Sequence, residues 1–132
     1  MIIAVDFDGT CVTHEYPRVG TELPLCVDTL RALAKAGHQL ILYTMRSGPE
    51  LSDAVEWCAA RNIPLWGINE NPEQHTWTTS PKVLASLYID DAALGCPLKR
   101  YRDGRRPSVD WAEVRFDLRM QGLIPDDIEV KP

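Results

Sequence analysis

The chain has 132 residues, of which 45% are hydrophobic and 25% are charged, which is the size and composition of a single globular domain. Its formal net charge of −5 excludes a polycation that coats nucleic acid along its whole length. No apolar run approaches the roughly 18 residues of a membrane span. No cysteine pair has CxxC spacing, and the N-terminus lacks a signal-peptide pattern. We therefore expect a reduced, cytoplasmic protein without membrane contact.

The hydrophobic pattern alternates between strands and helices along the chain. Continuous apolar runs such as residues 2–5 are typical of strands that are buried on both faces of a parallel sheet. The predicted elements are a strand at 2–5, a helix at 24–36, a strand at 38–43, a helix opened by Ser47, strands at 64–68 and 83–89, and a helix at 109–121 with Asp110 as its N-cap. This order predicts an α/β fold with a doubly wound parallel sheet.

Polar residues follow the apolar part of three predicted strands. Asp6, Thr44 and Asp90 each come directly after the last apolar or aromatic residue of a strand. The carboxyl ends of parallel strands border the ligand crevice in open α/β sheets. We therefore expect these side chains to share one site.

The stretch Asp6-Phe7-Asp8-Gly9-Thr10 is the most informative part of the sequence. Two ionised carboxylates at the end of a buried strand are costly unless something compensates their charge. A hard divalent cation would do so, because such ions bind oxygen ligands, and Gly9 would let the chain turn sharply. The alternative is a turn with a helix cap and no ligand.

Later residues in the chain favour the ligand site. Thr44 precedes a predicted helix N-terminus, where free N–H groups favour phosphate, although a strand-end threonine is more often a structural cap. Lys82 stands eight residues before Asp90 and would stabilise an anionic intermediate, although a single lysine is more often solvated. The pair Asp90-Asp91 places like charges so close that they call for a cation or a proton.

This order of motifs resembles the haloacid dehalogenase superfamily of aspartyl-phosphate hydrolases. Its four motifs match residues 6–10, Thr44, Lys82 and 90–91, so the likeness spans residues 1 to about 95. Small capless bacterial members also carry a Tyr-Pro-Arg-x-Gly stretch, here at 16–20. The resemblance implies a Rossmann-like core, phosphomonoester hydrolysis and Mg²⁺ as cofactor.

The resemblance also implies roles for individual residues. Asp6 would be the nucleophile, and Asp8 would be the general acid and then the general base. Magnesium would contact the Asp6 carboxylate, the Asp8 main-chain carbonyl and the Asp91 carboxylate, with Asp90 further out or bound through water. Thr44 and Lys82 would be catalytic by holding phosphoryl oxygens. The candidate substrate-binding residues are Gly9, Thr10, Thr44, Met45, Arg46 and Lys82, with Arg18 as a further candidate.

The site is expected to be open. Only 13 residues separate Thr10 from Pro24, and 11 separate Asn69 from Pro81, whereas a segment below about 40 residues seldom folds alone. The chain 1–132 is therefore predicted to be one domain with a short flap and no cap domain. An open site suits a phosphorylated small molecule, the phosphorylated end of a macromolecule, or cover by a second copy of the chain.

A basic stretch follows the last motif. Residues 98–119 carry a net charge of +3 in an otherwise acidic chain, and residues 99–106 surround an Asp-Gly turn signal. This ribbon is either a solvated rim or a contact for an anionic substrate such as a nucleotide, a sugar phosphate or a nucleic-acid end. The acidic segment 123–132 has no predicted role.

Two other functions fit parts of the pattern. A phosphorylated receiver domain also combines an acidic pair, a threonine and a lysine, but there the acidic pair comes first, whereas Asp90-Asp91 follows both Thr44 and Lys82. We reject the receiver on this order. A non-catalytic module that binds a phosphorylated ligand or a protein on the same scaffold stays as the alternative to a phosphatase.

Overall fold

The structure is a computed structural model that describes residues 1–126; residues 127–132, the end of the acidic segment, lie outside the described residues. The elements, in chain order, are β1 Ile2–Val5, α1 Cys26–Lys35, β2 Gln39–Leu42, α2 Gly48–Ala60, β3 Gly67–Ile68, β4 Leu87–Ile89, β5 Leu98–Lys99, β6 Ser108–Val109 and α3 Trp111–Met120, with a 3-10 turn at Gln74–Thr76 between β3 and β4.

The main sheet is parallel, as the sequence predicts. Its strand order is β3-β2-β1-β4, and Val5 of β1 pairs with Leu42 of β2 and with Ile89 of β4. The chain therefore builds outward from β1 in both directions, as in a Rossmann-like sheet, and the order reverses between β1 and β4. Ligands of open α/β sheets bind at the carboxyl end of this switch point.

The core lies mainly on one face of the sheet. Side chains of β1 and β2 such as Val5 and Leu42 join one buried cluster with residues of all three described helices, including Leu30, Trp57 and Trp111. The other face carries a smaller cluster, which is covered by the segment between β3 and β4 that contains no α-helix. The buried members of this cluster are Ala4, Ile41 and Val83. One face is thus closed by α-helices and the other only by this segment, whereas the predicted doubly wound sheet has helices on both faces.

The last two strands of the sheet are shorter than predicted, since β3 has 2 residues and β4 has 3. For β4, the buried side chain of Gln74 provides the reason. Its Nε2 donates to the carbonyls of Ser80 and Lys82, and its Oε1 accepts from the N–H of Leu84. Because an amide side chain satisfies these backbone groups, the segment does not need a strand partner.

The N-cap of α3 forms as predicted, because the Asp110 carboxylate accepts hydrogen bonds from the N–H groups of Ala112 and Glu113. Ser47 is the N-cap of α2, but its side chain makes no capping hydrogen bond. Among residues 1–126, the apolar stretches of the helices are too short to cross a membrane.

The flap after the first motif is a short folded loop. The N–H of Thr13 donates to the carbonyl of Thr21 at 2.9 Å, and the N–H of Leu23 donates to that of Cys11 at 3.0 Å. The basic ribbon connects the antiparallel strands β5 and β6. These strands are attached to the first motif because the N–H of Val109 donates to the carbonyl of Gly9 at 2.9 Å. Both segments therefore border the same loop.

Candidate active site

Three carboxylates meet at the carboxyl end of β1 and β4. One carboxylate oxygen each of Asp6, Asp90 and Asp91 lies within 4.8 Å of the others, and all three residues are partly buried. The strand register explains this arrangement, because Val5 pairs with Ile89 and the next residues of the two strands are Asp6 and Asp90. We call Asp6, Asp90 and Asp91 the acidic cluster.

Thr10 links the members of the acidic cluster. Its hydroxyl donates to Oδ2 of Asp6 at 2.9 Å and accepts from the backbone N–H of Asp91 at 3.1 Å. The residue is fully buried, so its side chain positions carboxylates and does not contact substrate, contrary to the sequence-based expectation. This arrangement leaves Oδ1 of Asp6 without a contact to Thr10.

The environment of Asp6 disfavours its charge. Burial and the negative charge of Asp90 raise the pKa of the Asp6 carboxyl from 3.8 to about 7, although hydrogen bonds from Thr10 and from the backbone of Phe7 oppose the change. A bound cation would remove this cost, since opposite charge favours the ionised form. The donor set is all oxygen, which fits Mg²⁺.

Asp8 is not a member of the acidic cluster and pairs with Arg46. Its Oδ2 accepts from Nε and its Oδ1 from Nη2 of Arg46, both at 2.8 Å. These hydrogen bonds raise the pKa of the Arg46 guanidinium above its ordinary value. The pair is a two-point contact between residues 38 positions apart, which is the strongest geometry for a guanidinium and a carboxylate.

Arg46 is a buried structural link, which corrects its prediction as a substrate contact. It is 2% exposed, and its remaining N–H groups donate to the carbonyls of Pro17, Arg18 and Glu50. The guanidinium therefore joins Asp8 to the flap and to the first turn of α2. With every nitrogen engaged, it has no donor left for a substrate.

Thr44 stands at the end of β2, where its hydroxyl accepts from the N–H of Arg46 at 3.1 Å, and its hydroxyl proton is left for another acceptor. Its N–H donates to the side-chain oxygen of Asn69 at 2.7 Å. The sequence prediction did not include Asn69, although it too directly follows a predicted strand and the strand-end rule would have found it. The neighbouring Met45 is 98% exposed, so its side chain is free to meet a ligand.

Lys82 is not in contact with the acidic cluster. Its side chain is exposed and forms no ion pair with any carboxylate among residues 1–126. Arg18 is also exposed and pairs with Glu15 at 3.3 Å. In the basic ribbon, Arg105 pairs with Asp103 at 2.9 Å and lies over the ring of Tyr101.

His14 of the flap contacts the acidic cluster. Its Nε2 lies 2.9 Å from Oδ2 of Asp91. The flap reaches Asp91 across Gly9, where a Cβ atom would lie 2.0 Å from His14 Nε2 and 2.5 Å from Asp91 Oδ2. A side chain at position 9 would therefore displace both, and this explains the glycine better than substrate contact does.

We expect Gly9→Ala to weaken divalent-metal binding about tenfold or more, because the new methyl group must push Asp91 or His14 out of place. Gly104→Ala is the matched control, since Gly104 has a similar φ of +84° but nothing near its missing Cβ. Backbone strain then affects both variants equally. Titration of each variant with Mg²⁺ by calorimetry separates them; equal affinities would refute the role of Gly9.

Comparison with solved structures gives one near relative over the full chain. The chain is 39% identical to a protein described as the conserved protein coded by a locus from Bacteroides thetaiotaomicron, with a TM-score of 0.73 over 99% of this chain and 98% of that chain. No protein-family model and no curated protein matches the chain. The likeness therefore defines the fold of the chain and its relationship to this protein, but not its chemistry.

Proposed function

We propose that this chain, which belongs to the same family as the conserved Bacteroides thetaiotaomicron protein, is a magnesium-dependent phosphomonoester hydrolase with a haloacid-dehalogenase-type core. The observation that carries the proposal is the acidic cluster, in which Asp6, Asp90 and Asp91 offer oxygen ligands within 4.8 Å of one another. At the switch point of the sheet, these oxygens would hold a hard cation and leave one carboxylate oxygen for chemistry.

Asp6 is the nucleophile of the proposed reaction. Its Oδ1, the oxygen that Thr10 does not occupy, attacks phosphorus, and the bond from phosphorus to the leaving oxygen breaks. The leaving oxygen takes a proton from Asp8, which must enter the reaction protonated and give up one of its two contacts with Arg46. Water then attacks the aspartyl phosphate and gives its proton to Asp8, which releases inorganic phosphate and restores Asp6. Mg²⁺, when bound, neutralises charge on the transferring phosphoryl group.

Asp90 is a better candidate for direct metal contact than Asp91, which is the residue that the resemblance implies. The Asp91 oxygens already contact His14 at 2.9 Å and Thr10 at 3.4 Å. The charge of Asp90 is the one that most raises the pKa of Asp6, so it is the neighbour that a shared cation would compensate. We therefore assign Asp6 and Asp90 as carboxylate ligands and Asp91 as their support, together with the Asp8 main-chain carbonyl.

Thr44 and Lys82 are the proposed phosphate-binding side chains. The Thr44 hydroxyl retains its proton for a phosphoryl oxygen, since the contact that it makes with Arg46 uses it as acceptor. Lys82 has no competing carboxylate among residues 1–126, so an incoming dianion would be its first charged partner. Both would act by electrostatic stabilisation, which dominates phosphoryl transfer.

Purified protein incubated with p-nitrophenyl phosphate, with and without Mg²⁺, tests the proposed function. We expect release of p-nitrophenolate that depends on Mg²⁺ and is lost with EDTA. A panel of alkyl, sugar and nucleotide phosphates extends the test to other leaving groups. Absence of turnover across the panel, together with binding of phosphate esters, would favour the non-catalytic module instead.

Mg²⁺ should stabilise the protein more at high pH than at low pH. Because the pKa of Asp6 is raised to about 7, the folded protein holds this proton more tightly than the unfolded chain does. Asp6 therefore lowers the stability of the metal-free protein progressively as pH rises from about 4 to about 7. Cation binding relieves that cost only where the carboxyl is ionised.

The measurement is the melting temperature of wild type and Asp6→Asn at pH 5 and pH 8, with and without 5 mM Mg²⁺. We expect Mg²⁺ to raise the wild-type Tm by about 3 °C or more at pH 8 and by less at pH 5. Without metal, Asp6→Asn should gain stability over wild type as the pH rises. An equal Mg²⁺ effect in both proteins would place the ion elsewhere.

A further inference from the structure

The face of the sheet without helices adjoins the acidic cluster and carries aromatic side chains. The register that pairs Val5 with Leu42 and Ile89 places Tyr43 and Asp90 on either side of Asp6. One step lower, Tyr88 pairs with the small Ala4. The rings of Tyr43 and Tyr88 approach to 6.3 Å between centroids, so an aromatic surface begins immediately beside the carboxylates.

A cleft of about 320 Å³ continues this surface. Its walls include Trp77, Lys82, Leu84 and Tyr88, and we call it the Trp77 cleft. Trp77 is 64% exposed and Leu84 is 45% exposed. The ring of Tyr88 is fixed, because its hydroxyl donates to the carbonyl of Val83 and accepts from the N–H of Ala85. The cleft thus offers flat apolar walls and one cationic side chain.

The polar groups of the cleft limit what it can recognise. The amide of Gln74, which also lines it, is fully used by backbone partners on both its oxygen and its nitrogen. Thr78 and Ser80 also line the cleft, but their hydroxyls already accept from the N–H groups of Ser80 and Lys82, so each has one proton to offer a ligand. Two such donors are few for a set of sugar hydroxyls, whereas an exposed indole and a fixed phenol ring are suited to stacking. Lys82 on the same wall attracts an anion.

We propose that the Trp77 cleft binds the leaving group of the substrate and that this group is a nucleoside, so that the substrates are nucleoside monophosphates. The inference rests on the proposed function, because it takes the phosphate to lie at Asp6. Tyr88 precedes Asp90 by two strand residues, or roughly 6.6 Å, so a base stacked in the cleft stays within reach of its own phosphate at the cluster. Stacking accepts any base, and we expect little discrimination among the four.

Trp77→Ala tests the cleft, with adenosine 5′-monophosphate and glycerol 2-phosphate as substrates. Loss of a stacked base should raise KM for the nucleotide by about tenfold and leave kcat for both esters within about twofold. The KM for glycerol 2-phosphate, which has no ring, should stay unchanged. Phe116→Ala is the control, because Phe116 is an exposed aromatic residue on α3, at 52% exposure, away from the cleft.

An equal change in KM for both esters, or no change for either, would overturn the proposal. So would a shift in molar mass by light scattering on Trp77→Ala alone, because the aromatic face would then be a contact between copies of the chain. Calorimetric titration of the wild type with adenosine 5′-monophosphate separates this inference from the proposed function. Binding that Trp77→Ala weakens tenfold, without any turnover, would support the cleft and refute the hydrolase; no binding would refute the cleft.

Discussion

Asp6→Asn should reduce kcat for p-nitrophenyl phosphate by about 10⁴-fold or more, which is the scale expected when a catalytic nucleophile is removed. The amide keeps the shape of the side chain and its contact with Thr10, but it cannot attack phosphorus. It also removes one negative charge from the acidic cluster, so the folded protein should not lose stability at pH 8. The loss in kcat should therefore reflect the missing nucleophile and the missing carboxylate ligand of Mg²⁺, and not unfolding of the protein.

Asp117→Asn is the control for charge and composition, because Asp117 is an exposed aspartate on α3 and outside the acidic cluster. It should retain wild-type turnover. Steady-state kinetics with circular dichroism on all three proteins gives the comparison. If Asp6→Asn kept more than about a tenth of the wild-type kcat, another residue would have to be the nucleophile.

Arg46→Gln should lower the free energy of unfolding by about 3 kcal/mol, since breaking a buried ion pair leaves an uncompensated charge. The expected loss lies at the lower end of the usual range because the Asp8 side chain keeps 20% exposure while that of Arg46 has none. The matched control is Arg105→Gln, which breaks the exposed pair with Asp103. That loss should be too small to resolve, because both side chains of the pair are more than half exposed.

Arg46 should also affect the chemistry through Asp8. Without the guanidinium, the Asp8 carboxyl is no longer held, and proton delivery to the leaving group becomes less effective. Esters with poor leaving groups, such as glycerol 2-phosphate, should lose kcat more than p-nitrophenyl phosphate does, because p-nitrophenolate leaves without a proton. Arg46→Lys should recover part of the stability but not the two-point contact.

Urea unfolding of Arg46→Gln, Asp8→Asn and the double variant measures the coupling between the two side chains. Arg46 also donates to Pro17, Arg18 and Glu50, so the single loss should exceed the coupling energy. Purely additive losses would show that the pair contributes nothing to stability. An identical fall in kcat for both esters would show that Arg46 does not act through Asp8.

Polar residues that directly follow paired parallel strands lie at one edge of the sheet, and this strand-end rule predicts the position of most residues of the candidate site. A parallel sheet forces the residues after paired strand ends to share an edge, and on this ground the sequence alone predicts that Asp6, Asp90 and Thr44 lie at the same edge. The same rule would have found Asn69, which supports the backbone of Thr44. The rule predicts where a residue lies along the edge of the sheet, but not the direction in which its side chain points.

The contacts that the sequence could not predict join distant segments. Arg46 and Asp8 are 38 positions apart, and His14 and Asp91 are 77 apart. No periodicity encodes such pairs, since they depend on how the flap and the start of α2 fold over the strand ends. From its position after Thr44 the sequence predicts Arg46 as a substrate contact, and only its burial shows that it is a structural link.

The short length of β4 has a similar cause. The apolar run at 83–89 is typical of a strand, but Gln74 takes the hydrogen-bonding groups of Lys82 and Leu84 and keeps them out of the sheet. That competition depends on a side chain eight to ten residues away in an irregular segment. Gln74 and Leu84 also line the Trp77 cleft, so the same segment forms part of its walls.

Trapping a mimic of the aspartyl phosphate shows directly whether Asp6 is the nucleophile. Crystals grown with Mg²⁺ and beryllium fluoride, which mimics a phosphoryl group bound to a carboxylate, should show the mimic on Oδ1 of Asp6 with the cation between Asp6 and Asp90. Density for beryllium fluoride on another carboxylate would contradict the role of Asp6 as nucleophile. A bound cation that does not contact Asp6 would contradict its role as a metal ligand.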